Sequence, residues 1–333
     1  MQKACLYVLL TISALALILP ILWIAGLWYY QPICLIPSGM LLLGMFFWKR
    51  QRRSISVHFI LWALVIINII TYHLLPPPQP AQWEKPWAVA PEFEQDGHLL
   101  TIHNLRDFRY RTEQDSTARY LTETYDLATL TGVDFAECHW DGMEAVCHTM
   151  LSFHFADGKR FVVSAETRLP EGMEQNAIAG LYKQYGLLYL FGTEEDIFGL
   201  RTNIRHEDLS VYPMNISPES GRKLLQHFIQ LAQEAAAGGT PYNTISANCS
   251  TGLVSAFRSL APNMPRQYDF LPLHNGSIAG ILIRSGAVQH LPGESEDDIR
   301  RRCYVGYDIP LETYSSTLHN KIKPKESSSR QRM

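Results

Sequence analysis

The chain has 333 residues, 47% of them hydrophobic, and a formal net charge of −3, so it lacks the basic excess that holds a nucleic acid by its phosphates. The charge is unevenly spread: the first 76 residues carry Lys3, Lys49, Arg50, Arg52 and Arg53 and no acidic residue. Everything beyond is acidic on balance, and the chain divides into two unlike parts.

Three apolar runs come first. Residues 6–30 are almost uninterrupted, 33–48 form a shorter run that holds Pro37 and Gly39, and 57–75 form a third. Each approaches the ~20 residues that cross a bilayer as a helix, so a multi-pass anchor of three transmembrane helices over 1–76 is expected, with the lipid bilayer as a partner. A cleaved signal peptide would have a shorter apolar stretch with no further apolar sequence behind it. Basic segments stay on the cytoplasmic side. Lys3 and the 49–53 cluster therefore belong inside, and everything after residue 75 outside. Trp28, Tyr29, Tyr30, Trp48 and Tyr72 lie near span ends, where amphipathic rings favour the interface.

The prolines of 76–80 make a stiff spacer, with the linker placed at 77–82. Residues 83–317 suffice for one sizeable core, and the basic, Ser-rich tail 318–333 is expected to be disordered. Strand-like alternation at 99–105, 145–155 and 160–165, and helical periodicity over 218–237, make the domain mixed α+β. Ser217 is a natural N-cap, Pro218 suits the first helical position, and Gly238-Gly239 supplies a stop. Phe155-Ala-Asp-Gly-Lys159 signals a hairpin. A three-residue loop at 156–158 pairs Phe155 with Lys159 and, in the same register, His148 with Glu166. A two-residue loop would turn Glu166 to the opposite face. His154 shares the parity of His148 and is a rival base.

Tyr242-Asn243-Thr-Ile-Ser-Ala-Asn248-Cys249-Ser250-Thr251 leads straight into a helical pattern. Cys249 thus falls where a loop becomes a helix, and the exposed N–H groups there favour a thiolate, the nucleophilic form. Asn248 can cap this helix, and Asn243 a turn. A thiolate at a helix start, a histidine on a strand and a polar orienter on the next strand make the papain-type arrangement for nucleophilic catalysis. Cys138 and Cys147 flank a short loop and could bridge in an oxidising space; a Cys249–Cys303 bridge would instead remove the nucleophile. His98, His103, His139 and Cys138 lack metal spacing. No metal or cofactor is expected, and the oligomeric state is open.

Residues 147–168 read Cys-His-Thr-Met-Leu-Ser-Phe-His-Phe-Ala-Asp-Gly-Lys-Arg-Phe-Val-Val-Ser-Ala-Glu-Thr-Arg. They resemble the His-Thr-x-x-Ser-Phe, Asp-Gly and Ser-x-Glu-x-Arg block of the bacterial Lnb-type family, the amino-terminal periplasmic domain of lipoprotein N-acyltransferase-like proteins. Glu194-Glu195-Asp196 with Arg201 and Arg205, and Tyr242-Asn243 with Asn248-Cys249-Ser250-Thr251, are two further matching blocks, and the resemblance spans roughly 83–260. It implies a circularly permuted papain-like cysteine-enzyme domain, preceded here by transmembrane helices and lying on the periplasmic side of the inner membrane. The family's characterised activity moves an acyl chain within a lipoprotein, from the glyceryl sn-2 position to the α-amine of the lipidated cysteine. Carried over, Cys249 is the nucleophile and His148 its base, with Glu166 as orienter. Asn248, Ser250, Asn243, Arg201 and Arg205 are candidate binding residues, and the Cys249 or Ser250 backbone N–H forms the oxyanion hole. This chain departs from the family in having its membrane part ahead of the domain. The reading is a cysteine acyltransferase or acyl hydrolase acting on a lipoprotein or lipid through a thioester. A cell-wall peptidase or amidase, and a catalytically silent tethered scaffold, are the alternatives.

Overall fold

The computed structural model describes residues 2–47, 53–140, 142–238 and 240–324. Two compact units are present: 1–78 with 176–184, and 79–175 with 185–333.

In the first unit, α1 (Gln2–Ala16) and α2 (Ile18–Tyr30) are separated at Leu17. Pro20 explains the break, because its ring clashes with the carbonyl four residues earlier and supplies no N–H. A 3-10 turn at Pro32–Cys34 leads into α3 (Leu35–Phe47), and α4 covers Arg53–Leu74. Two stretches, Val8–Tyr30 and Ser56–Leu74, are long and apolar enough to cross a membrane, whereas the middle one, Pro32–Leu43, is shorter. Three spans were expected, the middle one over the shorter run 33–48; two helices meet the length for a span and the middle one falls short of it. Its last residue, Trp48, and Lys49, Arg50 and Arg52 lie outside the described residues.

Three contacts fix the direction of these helices. His58 Nε2 lies 3.1 Å from the Leu10 carbonyl, Trp62 donates to Ser13 at 3.0 Å, and Trp28 donates to Asn68 at 3.1 Å. Residue numbers rise together along both partners, so α1–α2 and α4 run in the same direction. Ser38 of α3, fully buried, completes a polar cluster by accepting from Asn68 at 2.8 Å and Trp28 at 3.2 Å.

The second unit is built on strands β1 (Glu92–Asp96), β2 (Leu99–Arg106), β3 (Arg109–Tyr110), β4 (Ser116–Thr117), β5 (Tyr120–Asp126), β6 (Leu130–His139), β7 (His148–Phe155), β8 (Arg160–Arg168), β9 (Gly186–Gly192) and β10 (Asp208–Pro213). The main sheet runs β1-β2-β9-β8-β7-β6-β10, with β5 beside β2; β3 and β4 pair separately. Helices α5 (Glu194–Gly199), α6 (Pro218–Ala236), α7 (Cys249–Leu260), α8 (Ile278–Arg284), α9 (Glu296–Cys303) and α10 (Tyr314–Ile322) accompany it.

Strand alternation sends side chains to two cores. Leu151, Phe153, Phe161, Val163 and Ala165 join the larger core with Leu224, Leu225 and Phe228 of α6 and Leu253 of α7. Met150 and Val162 join a smaller core with Ile197 and Phe198 of α5 and Leu318 and Ile322 of α10. His148, Ser152, His154, Ser164 and Glu166 share the parity of that second face, so a row of polar groups lies among its apolar residues. The domain is mixed α+β, as expected.

The hairpin has the three-residue loop. Phe155 N–H donates to the Lys159 carbonyl at 3.0 Å, Gly158 N–H to the Phe155 carbonyl at 3.0 Å, and Gly158 takes φ +86°, a conformation that favours glycine. Met150 pairs with Ser164 and Ser152 with Val162, the register that brings His148 opposite Glu166. At the carboxyl end the structure departs from a disordered tail starting at 318. Tyr314, Leu318 and Ile322 recur every fourth residue and are fully buried, so α10 docks on the second face. Residues 325–333 lie outside the described residues.

Candidate active site

Cys249 is the first residue of α7. Asn248 caps the helix: its Oδ1 accepts from the N–H groups of Ser250 and Thr251 at 3.0 Å each, and Thr251 Oγ1 accepts from Asn248 N–H at 2.8 Å. Such a cap contributes about 1 kcal/mol and holds the helix start in one place. The same bond commits the Ser250 N–H to Asn248, so of the two donors expected for an oxyanion hole the Cys249 N–H is the remaining candidate. Asn243 has a comparable local task, its Oδ1 accepting from Ile245 and Ser246 N–H at 3.0 Å each. Asn243 and Asn248 are therefore shaping residues, and their side-chain oxygens are committed to backbone.

His148 opens β7. Its Nε2 lies 2.7 Å from Ser164 Oγ and 3.2 Å from Glu166 Oε1. Ser164 donates to Glu166 at 2.5 Å, so its oxygen accepts from the imidazole and Nε2 carries the proton. Nδ1 is then the nitrogen available to the thiol. Glu166 is held from behind by Arg201, whose Nη2 donates to Oε1 at 3.2 Å while Nη1 donates to the Ile197 carbonyl at 2.8 Å. Arg201 sits on the π-helical turn Leu200–Ile204 that follows α5. The result is a relay from Arg201 through Glu166 and Ser164 to His148 and Cys249.

Burial works to raise the Cys249 pKa. The charge and hydrogen bond of His148, the Thr149 backbone N–H and the Ser250 hydroxyl outweigh it and bring the thiol down to about 7. Burial works the other way on His148, but the negative charges of Glu166 and Cys249 raise it to about 9. Burial would raise Glu166 as well; His148, Arg201 and Ser164 instead hold it well below the usual carboxylate range. Between about pH 7 and pH 9 these shifts favour a thiolate beside an imidazolium, the form in which a cysteine is nucleophilic.

Arg205 is not part of this relay. Its Nε lies 2.8 Å from Glu113 Oε1 and its Nη1 3.7 Å from Glu207 Oε1. Together with Arg201, Arg106, Tyr110, Trp87 and Glu166 it lines a cleft of about 300 Å³. Asp196 is likewise structural, accepting two bonds from Arg106 at 3.0 and 2.8 Å and one from Phe108 N–H at 2.6 Å.

Asn275 is not among the site residues expected from sequence. Its Oδ1 accepts from Cys147 N–H at 2.7 Å, and its Nδ2 donates to the Cys147 carbonyl at 2.6 Å and to Ser250 Oγ at 2.5 Å. One buried amide thus joins the residue before His148 to the residue after Cys249. An adjacent glycine permits the approach, since a Cβ on Gly276 would meet the Glu144 carbonyl oxygen at 1.9 Å. Nothing in the local sequence marks this Asn. Asn275→Ala should cost about 2 kcal/mol by leaving buried backbone groups unpaired. That lowers Tm by about 4–8 °C in a domain of this size, and an unchanged melting curve would refute the bridging role.

No disulfide occurs among the described cysteines. Cys138 donates to Glu207 Oε2 at 3.1 Å, whereas the Cys147 sulfur lies with Glu137 and His139. Residues 137 and 139 alternate with 138 along β6, so the two thiols sit on opposite faces of the sheet and the bridge considered between them is not formed. Nor are Cys249 and Cys303 joined. His154, the rival base, lies six residues along β7 from His148, roughly 20 Å away, and contacts Asp134.

Residues 116–275 match the Lnb N-terminal periplasmic domain family. No curated protein and no solved structure matches the chain.

Proposed function

We propose, from the premise that this chain belongs to the Lnb-type family through residues 116–275, that this periplasmic, membrane-associated protein is a cysteine acyltransferase or acyl hydrolase. The observation that carries the reading is the Cys249–His148–Glu166 array with its depressed thiol and raised imidazole. The Cys249 thiolate attacks an ester carbonyl, and the Cys249 N–H stabilises the oxyanion. The C–O bond breaks as the His148 imidazolium protonates the departing alkoxide, leaving a thioester. An α-amine then attacks the thioester, His148 accepts its proton, and the thiolate departs as the amide forms; water in place of the amine gives hydrolysis.

A helix-borne cysteine beside a sheet-borne histidine and carboxylate, with the histidine earlier in the chain, supports a permuted papain-like fold. Three membrane crossings accord with the helix directions. Because α1–α2 and α4 run the same way, the chain between them must return, and α3 lies on that return path. Its 13 residues reach about 20 Å of a hydrocarbon core about 30 Å thick. With the basic residues inside, the catalytic domain then lies in the periplasm. The anchor is consistent with a lipoprotein substrate, whose reacting ester lies at headgroup level.

Mass spectrometry of lipoprotein amino termini from cells with and without the protein tests this. The expected result is loss of N-acylated lyso forms, or of deacylated forms, when the protein is absent; an unchanged acylation pattern sinks the acyl-transfer reading. The arginine-lined cleft beside Glu166 favours one second reading, a peptidase or amidase that seats a carboxylate of a cell-wall peptide there.

A further inference from the structure

At the far end of β7 from His148, four ionisable residues from four elements meet. Asp134 of β6 is 3% exposed, Glu194 at the start of α5 is 1%, and His319 of α10 is 6%; His154 of β7 is the fourth. Asp134 Oδ2 lies 3.1 Å from His154 Nε2 and 3.5 Å from His319 Nδ1, and all three atoms lie within 4.8 Å of one another. The carboxylate oxygen and the His154 nitrogen are buried, yet neither makes a hydrogen bond of proper geometry, even to the other. Both atoms face the space they share with His319 Nδ1, where an unpaired buried polar atom costs about 1–3 kcal/mol.

The other side of His319 is firmly set. Its Nε2 lies 2.9 and 3.1 Å from the two Glu194 oxygens, and Glu194 also accepts from Ser152 at 2.6 Å and from Ser315 at 2.5 Å. With three partners satisfying the carboxylate, Nε2 is the protonated nitrogen and Nδ1 turns its lone pair toward Asp134 and His154. A carboxylate that holds the far N–H of an imidazole is the usual support of a metal-bound histidine.

We propose that Asp134, His154 and His319 bind a first-row divalent cation of the Zn²⁺ type through Oδ2, Nε2 and Nδ1, with Glu194 as the positioning residue. Two imidazoles and one carboxylate suit that class. Bonds of about 2.0–2.1 Å in a tetrahedral site place ligand atoms roughly 3.3 Å apart, close to the 3.1 and 3.5 Å found. The ion's place in the fold is a clasp. Asp134 and His154 belong to adjacent strands and His319 to the last helix, so binding ties α10 to the sheet, far from Cys249.

The test uses the full chain in detergent micelles, stripped with a chelator and titrated with Co²⁺ and then Zn²⁺. The expected result is one equivalent of Co²⁺ with visible d–d absorption, displaced by Zn²⁺, and a Tm that rises with either ion. His154→Gln and His319→Gln should abolish the absorption and the Tm response. Glu194→Gln should weaken binding about 10–100-fold. His154 is on a strand within the sheet and His319 on the terminal helix, so the pair guards against a variant that fails to fold. Wild-type protein that takes up neither ion, or uptake unchanged in both histidine variants, overturns the proposal and leaves a buried polar network of two histidines and two acidic residues.

Discussion

If Cys249 is the nucleophile proposed, Cys249→Ala should abolish acyl-enzyme formation and lower turnover by about 10³-fold or more, as removal of a catalytic nucleophile does. Labelling by a thiol-reactive acyl probe should vanish with it. Unchanged labelling and an unchanged cellular phenotype would leave only the tethered-scaffold alternative. In the wild type, alkylation of Cys249 should follow the thiolate. The rate is low below about pH 7, where the thiol is protonated, and rises through that value. Turnover needs the imidazolium as well, so it should fall again above about pH 9, where His148 loses its proton. An alkylation midpoint near the ordinary thiol value would refute the ion pair.

Glu166→Gln should have the next largest effect. The carboxylate is the strongest influence holding His148 protonated. Without it the imidazole pKa falls, the thiolate loses its counter-charge, and the alkylation midpoint of Cys249 moves upward. General acid–base assistance is worth about 10²–10⁴-fold, and a loss of about 10²-fold in kcat is expected. Arg201 is also left buried without its carboxylate, a change that costs about 3–5 kcal/mol when a buried pair is broken. A fall in Tm alone would fit a merely structural Glu166. The shift in alkylation midpoint separates the two, and its absence refutes the orienting role.

Much of this arrangement is legible in the sequence because it rests on local rules. Asp157-Gly158 sets the loop length, loop length sets register, and register decides which side of the sheet Glu166 faces. Asn248 before a helical pattern locates Cys249 in the same way. The rest depends on groups that meet only after folding. Asn275 bridges two segments through backbone atoms, which no side-chain pattern records. His319 lies in a stretch whose composition reads as a tail, since Leu318 and Ile322 reveal their purpose only against the second face of the sheet. Asp134, His154 and His319 come from two strands and a distant helix, so no ligand spacing exists to be recognised. The short middle helix shows the opposite case, where apolar composition was plain but the run is too short to match the other two spans.

The described cysteines, none of them bridged, bear on how a periplasmic domain keeps its thiols in an oxidising compartment. Cys34, Cys138, Cys147 and Cys303 are all buried. Burial raises the Cys138 and Cys147 thiols far above neutrality and the Cys303 thiol to about 12. Thiol–disulfide exchange requires a thiolate with access to its target, so these three are silent toward disulfide-forming catalysts. Cys249 alone among them has a depressed pKa. Among the described cysteines, burial seals the others in the core and leaves Cys249 as the thiol with a depressed pKa, so the fold does by burial what a reducing cytoplasm would otherwise do.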